Sequence, residues 1–463
     1  MDQRFETDSL GRVAVPATAY YGAQTARAVA NFPIGGQRFP RPFIAALGRI
    51  KEAAAAVNAE LGVLDARRAG YIRRAAAEVV AGSLDAEFVV PIWQTGSGTQ
   101  VNMNANEVIA GRANEMADAG RGGKSPVHPN DHVNRSQSSN DVVPTAMHLA
   151  LGDEIQNRLL PALDVLAGAL TERAKAFADI VKIGRTHLMD AVPLTLGQEF
   201  SGWAAQVEAA RARIVAAVPG LCELALGGTA VGTGLNAPEG FATRVLARLE
   251  QSTGLPLRRA RNAFAAQGGH DAVVAASGAL RDAAVALAKV ANDIRLLGSG
   301  PRCGLGELRL PAREPGSSIM PGKVNPTQAE ALSMVCARVM GNDVAVGFGG
   351  AHGHLELNAY KPLLIHCTLE SVELLADASR SFAERCVAGI EADRAGIERH
   401  LERSLMLVTN LTPVIGYDAA AKAAKKALEE GLTLREAVLA LELMDADALD
   451  AHLRPEDMTD GRW

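Results

Sequence analysis

Cysteine is scarce in this chain and widely scattered. Five cysteines among 463 residues, Cys222, Cys303, Cys336, Cys367 and Cys386, form no Cys-x-x-Cys pair. That spacing argues against a disulfide framework, a zinc ribbon and an iron–sulfur cluster. It leaves free thiols in a reducing compartment as the expectation. Aromatic residues make up only 4%, and strand-like runs are few. No uninterrupted apolar run reaches the ~18–20 residues of a membrane span. The polar, acidic start Met1-Asp2-Gln3-Arg4-Phe5-Glu6 lacks the apolar core of a signal peptide and the acid-poor character of a transit peptide. A cytoplasmic location is therefore expected. Strong charge of one sign is missing too. Lysine and arginine number 47 against 52 acids, a formal charge of −5, and there is no basic block. Nucleic acid and anionic membrane are thus poor candidates for main partners.

What the chain does have is Ala, Leu, Glu and Arg in abundance, a composition that favours helices. The length implies two or three domains. Residues 41–90 look helical. Leu159, Leu163, Leu166 and Leu170 mark one helical face within about 145–180, where Pro161 signals a kink or a break. Further long helical patterns cover about 196–218, 280–297, 327–346 and 362–390. Five long helices with apolar faces imply an all-α bundle. Past residue 393 the charge density rises, and Gly431 and Pro455 punctuate a shorter C-terminal unit.

Four polar segments interrupt these helices. In Thr95-Gly96-Ser97-Gly98-Thr99-Gln100 alternate glycines expose backbone N–H groups and the hydroxyls add donors. Without a following Gly-Lys-Ser/Thr it is not a P-loop, and a carboxylate cradle or a simple turn both fit. Asn102, Asn104, Asn106 and Glu107 follow it. The second segment holds His128-Pro129-Asn130-Asp131-His132 and Ser136-Gln137-Ser138-Ser139-Asn140-Asp141. A helix end needs one N-cap residue, and the surplus here suggests ligand contact. The third, Gly184-Arg185-Thr186-His187-Leu188-Met189-Asp190, sets His187 in a short polar break between helices, with a pKa suited to proton transfer. The glycine-rich Gly227–Gly234 lacks the context of a dinucleotide site. His352, His354 and Glu356 resemble a metal cluster only superficially, and no metal is expected.

The fourth segment is Gly316-Ser317-Ser318-Ile319-Met320-Pro321-Gly322-Lys323-Val324-Asn325-Pro326. Its glycines and prolines forbid a regular helix. Asn325 reads as an N-cap and Pro326 as the first helical residue of the helix that carries Glu330. Such a helix start, with Lys323 beside it, offers N–H groups and positive charge to an anion.

This last run resembles the signature of the fumarase/aspartase superfamily. Thr95–Glu107, His128–Thr145, Lys182–Glu199, Gly227–Asn236 and Ser299–Cys303 are similar to its class II fumarase branch, in order and at similar spacing, as are Tyr20–Gln24 and Asn410–Pro413. The resemblance implies an all-α, three-domain fold with a central long-helix bundle, divided at about 1–137, 138–393 and 394–463. It implies a homotetramer whose active sites are shared between subunits. It also implies reversible hydration of fumarate to L-malate, a citric acid cycle reaction, through an aci-carboxylate carbanion and without a cofactor. In that pattern Ser317 is the base, His187 the acid and Glu330 its partner, with Lys323 and Asn325 completing the catalytic set. Ser97, Gly98, Thr99, Ser138, Ser139, Asn140, Thr186, Ser318, Lys323, Val324 and Asn325 would bind the dicarboxylate. His128, Pro129, Asn130 and Asp131 would form a secondary carboxylate site. That site is weaker or different here, because Ser125 stands where some members carry arginine. The alternatives are an aspartate ammonia-lyase and a non-catalytic structural descendant; the intact set of Ser317, Lys323, Asn325, His187 and Glu330 argues against the second.

Overall fold

A computed structural model describes residues 2–459; Met1 and residues 460–463, the outer ends of the first and last expected domains, lie outside it. The described chain is dominated by α-helix. Its strands form only two-stranded sheets, so the all-α expectation holds. The long helices are Leu196–Leu221, Asp271–Leu297, Thr327–Ala351 and Lys361–Arg385. Each is longer than the sequence pattern implied at one end or is shifted by a few residues. The expected single helix near 145–180 is two, Ser139–Glu154 and Leu160–Ala176, joined by a π turn at Ile155–Leu159. Pro161 lies in the first turn of the second helix, where a missing N–H costs least.

Contacts divide the chain into two compact units. The first comprises Met1–Pro161, Arg211–Ala284 and Cys336–Ala376. Within it Arg41–Glu60 and Ala66–Ala81 pack on each other. Asp65 caps the second of these by accepting from Arg68 N, and Gly82 ends it in the left-handed region. Phe43, Leu47, Ile50, Val57, Ile72 and Val79 are all fully buried. These are the positions that a 3.6-residue period turns inward.

The second unit comprises Ala162–Ala210, Val285–Val335 and Asp377–Trp463. It contains an element the sequence did not disclose: an antiparallel hairpin of Val181–Thr186 and Met189–Thr195. His187 is therefore in the two-residue turn of a hairpin, not in a break between helices. The register slips between Ile183 and Arg185. A short pair, Leu308–Arg309 with Glu391–Ala392, lies in the same unit. So does a separate apolar cluster of Leu407, Val408, Leu411, Leu434, Val438 and Leu449.

Candidate active site

In the first unit two helix N-termini meet through hydroxyls. Gly98 takes a left-handed φ of 77° and starts the helix Thr99–Met116. Ser97 Oγ lies 2.9 Å from Thr99 Oγ1, which lies 3.0 Å from Ser139 Oγ at the start of Ser139–Glu154. Both helices present their positive ends here, which suits an anionic group. The turn before Gly98 is held tightly. Lys361 N donates to Gly96 O at 2.9 Å, and a Cβ on Gly96 would overlap the Ala359 carbonyl.

Ser138 is the true N-cap, in a capping box with Asp141. That leaves Ser139 and Asn140 unneeded for capping. Asn140 instead donates from Nδ2 to Ala230 O at 2.8 Å. Asp141, fully buried, accepts from Ser138 N at 2.9 Å, Gly227 N at 2.9 Å and Thr229 N at 3.0 Å. The Gly227–Gly234 turn is thereby fastened to the serine segment. Burial raises the Asp141 carboxyl, opposed by those three N–H groups and by Lys51. Two buried lysines share its surroundings. Lys51 donates to Asn134 Oδ1 at 3.0 Å and Gln137 Oε1 at 3.1 Å. Burial pushes Lys51 and Lys361 each down to about 7. Lys361 Nζ and both ring nitrogens of buried His270 have no hydrogen-bond partner among the described residues. Burial lowers the His270 pKa well below its ordinary value, and Lys361 adds to that.

The asparagine run does scaffolding work. Asn102 and Asn106 donate to Asn134 Oδ1, and Asn104 donates to Glu87 O. Glu107 is buried and accepts from Gly22 N, Gln24 N and Thr25 N, at 2.9–3.0 Å. His128 Nδ1 accepts from Asn130 N at 3.1 Å and Asp131 N at 3.2 Å, capping a π turn at Pro129–Val133. The ring nitrogen of the expected secondary site is thus already engaged.

In the second unit, His187 and Leu188 form the hairpin turn with φ of 56° and 64°. Thr186 and His187 are exposed. The His187 side chain makes no hydrogen bond among the described residues. The Gly316–Asn325 loop is closed by Gly316 N donating to Lys323 O at 2.7 Å. Ser317 and Ser318 differ. Ser317 Oγ accepts from Ile319 N at 3.2 Å and from Met320 N at 3.0 Å. Ser318, like Val324, is exposed, and its side chain has no such bond among the described residues. Lys323 Nζ donates to Asn325 Oδ1 at 2.6 Å, and Asn325 Nδ2 to Gly316 O at 2.8 Å.

Asn325 is therefore not the N-cap. The helix begins at Thr327, and Glu330 N donates to Pro326 O. The residue before a proline is biased toward extended backbone, and the Asn325 side chain braces the loop instead. Glu330 is exposed on the first turn, with no side-chain hydrogen bond to His187. Within one chain, then, the structure joins Ser97, Thr99 and Ser139, and joins Ser317, Lys323 and Asn325 by way of their loop. It does not join His187 to Glu330. Sequence reading missed Lys51 and Lys361, which looked like ordinary helix charges, and Glu307, a single acid outside the four polar segments. Only Asp141 had a signal, as the third residue after a serine cap. Of the His352, His354 and Glu356 trio, His352 stacks on Phe348 at 3.9 Å and its Nδ1 pairs with the Phe348 carbonyl.

A family profile described as a lyase matches residues 11–341, and one described as the fumarase C C-terminus matches residues 407–460. The chain is thus a lyase by class. The class II fumarate hydratase of Thermosynechococcus vestitus is 61% identical over 457 residues, 99% of this chain and 98% of its own. That of Pseudomonas putida is 58% identical over 98% of each chain. A class II fumarase from Schistosoma mansoni superimposes with a TM-score of 0.97 at 44% identity, over the full length of both. A Brucella melitensis protein described as fumarate lyase:delta crystallin, bound to cobalt, gives 0.95 at 45% identity and covers 99% of this chain. The chain belongs to the class II fumarate hydratase family.

Proposed function

We infer that the protein catalyses the reversible hydration of fumarate to L-malate. In the dehydration direction Ser317 Oγ takes the C3 proton of malate. The electron pair passes into the adjacent carboxylate as an aci-carboxylate. It returns to form the C2–C3 double bond as the C2–O bond breaks, and His187 protonates the departing hydroxyl to give water. The observation that carries this reading is the Ser317 oxygen. It accepts two backbone N–H bonds, and donors to the charged form favour an alkoxide. Lys323 adds positive charge nearby in the same loop. The second unit thus supplies base and acid. The paired helix ends with Ser97, Thr99, Ser139 and Asn140 supply a carboxylate cradle of the kind needed as charge grows. Thr186, Ser318, Val324 and Asn325 belong to the same substrate shell. No cofactor enters the scheme.

The same reading includes a homotetramer in which chains share active sites, with Glu330 orienting a His187 from another subunit. Its support is one bare face. On Thr327–Ala351, Met334 is 68% exposed, Val344 74% and Phe348 56%, on one stripe with Ala337 and Gly341. A cytoplasmic setting and domains at 1–137, 138–393 and 394–463 complete it; the apolar cluster at Leu407–Leu449 supports the last boundary.

The deciding experiment follows fumarate absorbance after adding L-malate, with L-aspartate as the competing substrate, each with and without EDTA. Fumarate from malate alone, undiminished by the chelator, is expected. Fumarate from aspartate would make the protein an ammonia-lyase. No product from either would leave a structural descendant.

A further inference from the structure

We propose that Glu307 is a positioning residue that fixes the hairpin turn bearing His187. The proposal rests on the reading of His187 as the proton donor.

His187 has no side-chain hydrogen bond among the described residues and sits in an exposed two-residue turn. Its place is set by the strands that carry it. The first strand sends two cations to one carboxylate. Arg185 Nη2 donates to Glu307 Oε1 at 2.6 Å. Lys182 Nζ lies at ion-pair distance, 3.1 Å, from Oε2, without hydrogen-bond geometry. A third group, His400 Nδ1 on the helix Arg394–Arg403, lies 3.0 Å from Oε1. Lys182 also bonds both oxygens of Glu199, at 3.1 and 2.9 Å. Glu199 stands on the first turn of Leu196–Leu221, directly after the second strand. Both strands of the hairpin are thereby tied to one charge cluster.

Burial decides how much that cluster matters. Glu307 is 0% exposed and Lys182 1%. Burial would raise the Glu307 carboxyl, yet Arg185, Lys182 and His400 hold it below the usual carboxylate range. Removing one member of such a group leaves the others charged and unpaired in a dry place. Packing offers little substitute on the other side. There Arg185 on the first strand and Leu188 in the turn line a cavity of about 420 Å³ with Trp203, Lys289 and Asp293. The charge cluster thus adds to the strand pairing as a tie on the turn.

The consequence is catalytic because proton transfer tolerates little misplacement, about 1 Å costing on the order of 100-fold. Substrate binding draws mostly on other residues, so Glu307→Gln should lower kcat for L-malate by ~10-fold or more while KM stays within about twofold. Glu307→Asp, which keeps the charge, should recover much of the loss. A purely structural role would instead reduce the amount of folded enzyme without this split. The proposal is overturned by a folded Glu307→Gln with kcat within about twofold of wild type, or by an Asp variant no better than Gln. Should Glu307→Gln fail to fold, His400→Gln takes its place. It removes a half-buried partner and should lower kcat by roughly two- to fivefold at unchanged KM, and an unchanged kcat overturns the idea. Wild-type inactivity on L-malate would instead sink the functional reading itself, and this proposal with it.

Discussion

Ser317 and Ser318 are adjacent and chemically identical, and no composition argument separates them. Geometry does: one oxygen accepts two backbone N–H groups and the other is exposed. Ser317→Ala is therefore expected to lose at least ~10²-fold in kcat, the range of a general base, with binding largely kept. Ser318→Ala should raise KM more than it lowers kcat, at roughly 1–3 kcal/mol for the unsatisfied partner. Steady-state kinetics on both purified variants decide it. A Ser317→Ala enzyme with normal kcat would hand the C3 proton to another group. A second expectation concerns Lys361. Its native pKa is pushed down to about 7 from 10.5. Between those values the unfolded chain keeps a proton that the native protein lacks, so stability from this group rises with pH across that window. Below about 7 the cost of burying the charge is felt in full. Lys361→Met should thus flatten the gain in urea stability between pH 7 and 9, by up to ~1 kcal/mol per pH unit. Parallel slopes for wild type and variant would refute it. The resemblance had already separated Ser317 from Ser318, but the buried charges were not legible in the sequence at this scale. Lys51, Lys361 and Glu307 are single charges in ordinary surroundings, and only the tertiary fold buries them.

Elements were read unevenly, for physical reasons. The long helices announced themselves because their apolar residues recur at helical spacing over many turns. The Val181–Thr195 hairpin did not, because Gly184, Arg185 and Asp190 break a simple alternation of apolar and polar residues and the register slips midway. Of the four polar segments only 316–326 lies wholly outside regular structure: the first two run into helices at Thr99 and Ser139 and the third is a hairpin, and their inner division of labour was hidden. Ser138 caps, Asp141 fastens, and the asparagines of Thr99–Met116 brace their neighbours. The Thr95–Thr99 turn shows how narrow the backbone requirement is. Gly96→Ala would drive a methyl group into the Ala359 carbonyl, so either the turn or the start of Lys361–Arg385 must move. We expect a loss of ~2 kcal/mol or more in stability, together with a raised KM as the Ser97–Thr99 hydroxyls shift. Denaturant melts and malate kinetics test the two effects separately. A variant as stable as wild type would show the turn to be looser than described.

The whole molecule is expected to be an assembly, since His187 and Glu330 do not meet by hydrogen bonding within one chain. Mixing inactive His187→Asn and Ser317→Ala chains, after unfolding and refolding together, should restore part of the malate activity. Mixed chains with no more activity than either parent would argue for sites built within single subunits. The bare stripe of Met334, Val344 and Phe348 has a further consequence. By length and mean hydropathy, 1.2 over eighteen residues with only 28% buried, Thr327–Ala351 passes for a membrane span, although it carries Arg338 paired with Glu370 and Asp343 near Arg281. On the proposed assembly, a chain fresh from the ribosome would carry that stripe into water until it met others like itself. Its safety is then a race of second order. At low abundance a lone chain waits, exposed to chaperones, proteases and stray apolar surfaces. Refolding yield should accordingly climb with concentration at first, then fall as indiscriminate sticking overtakes correct pairing.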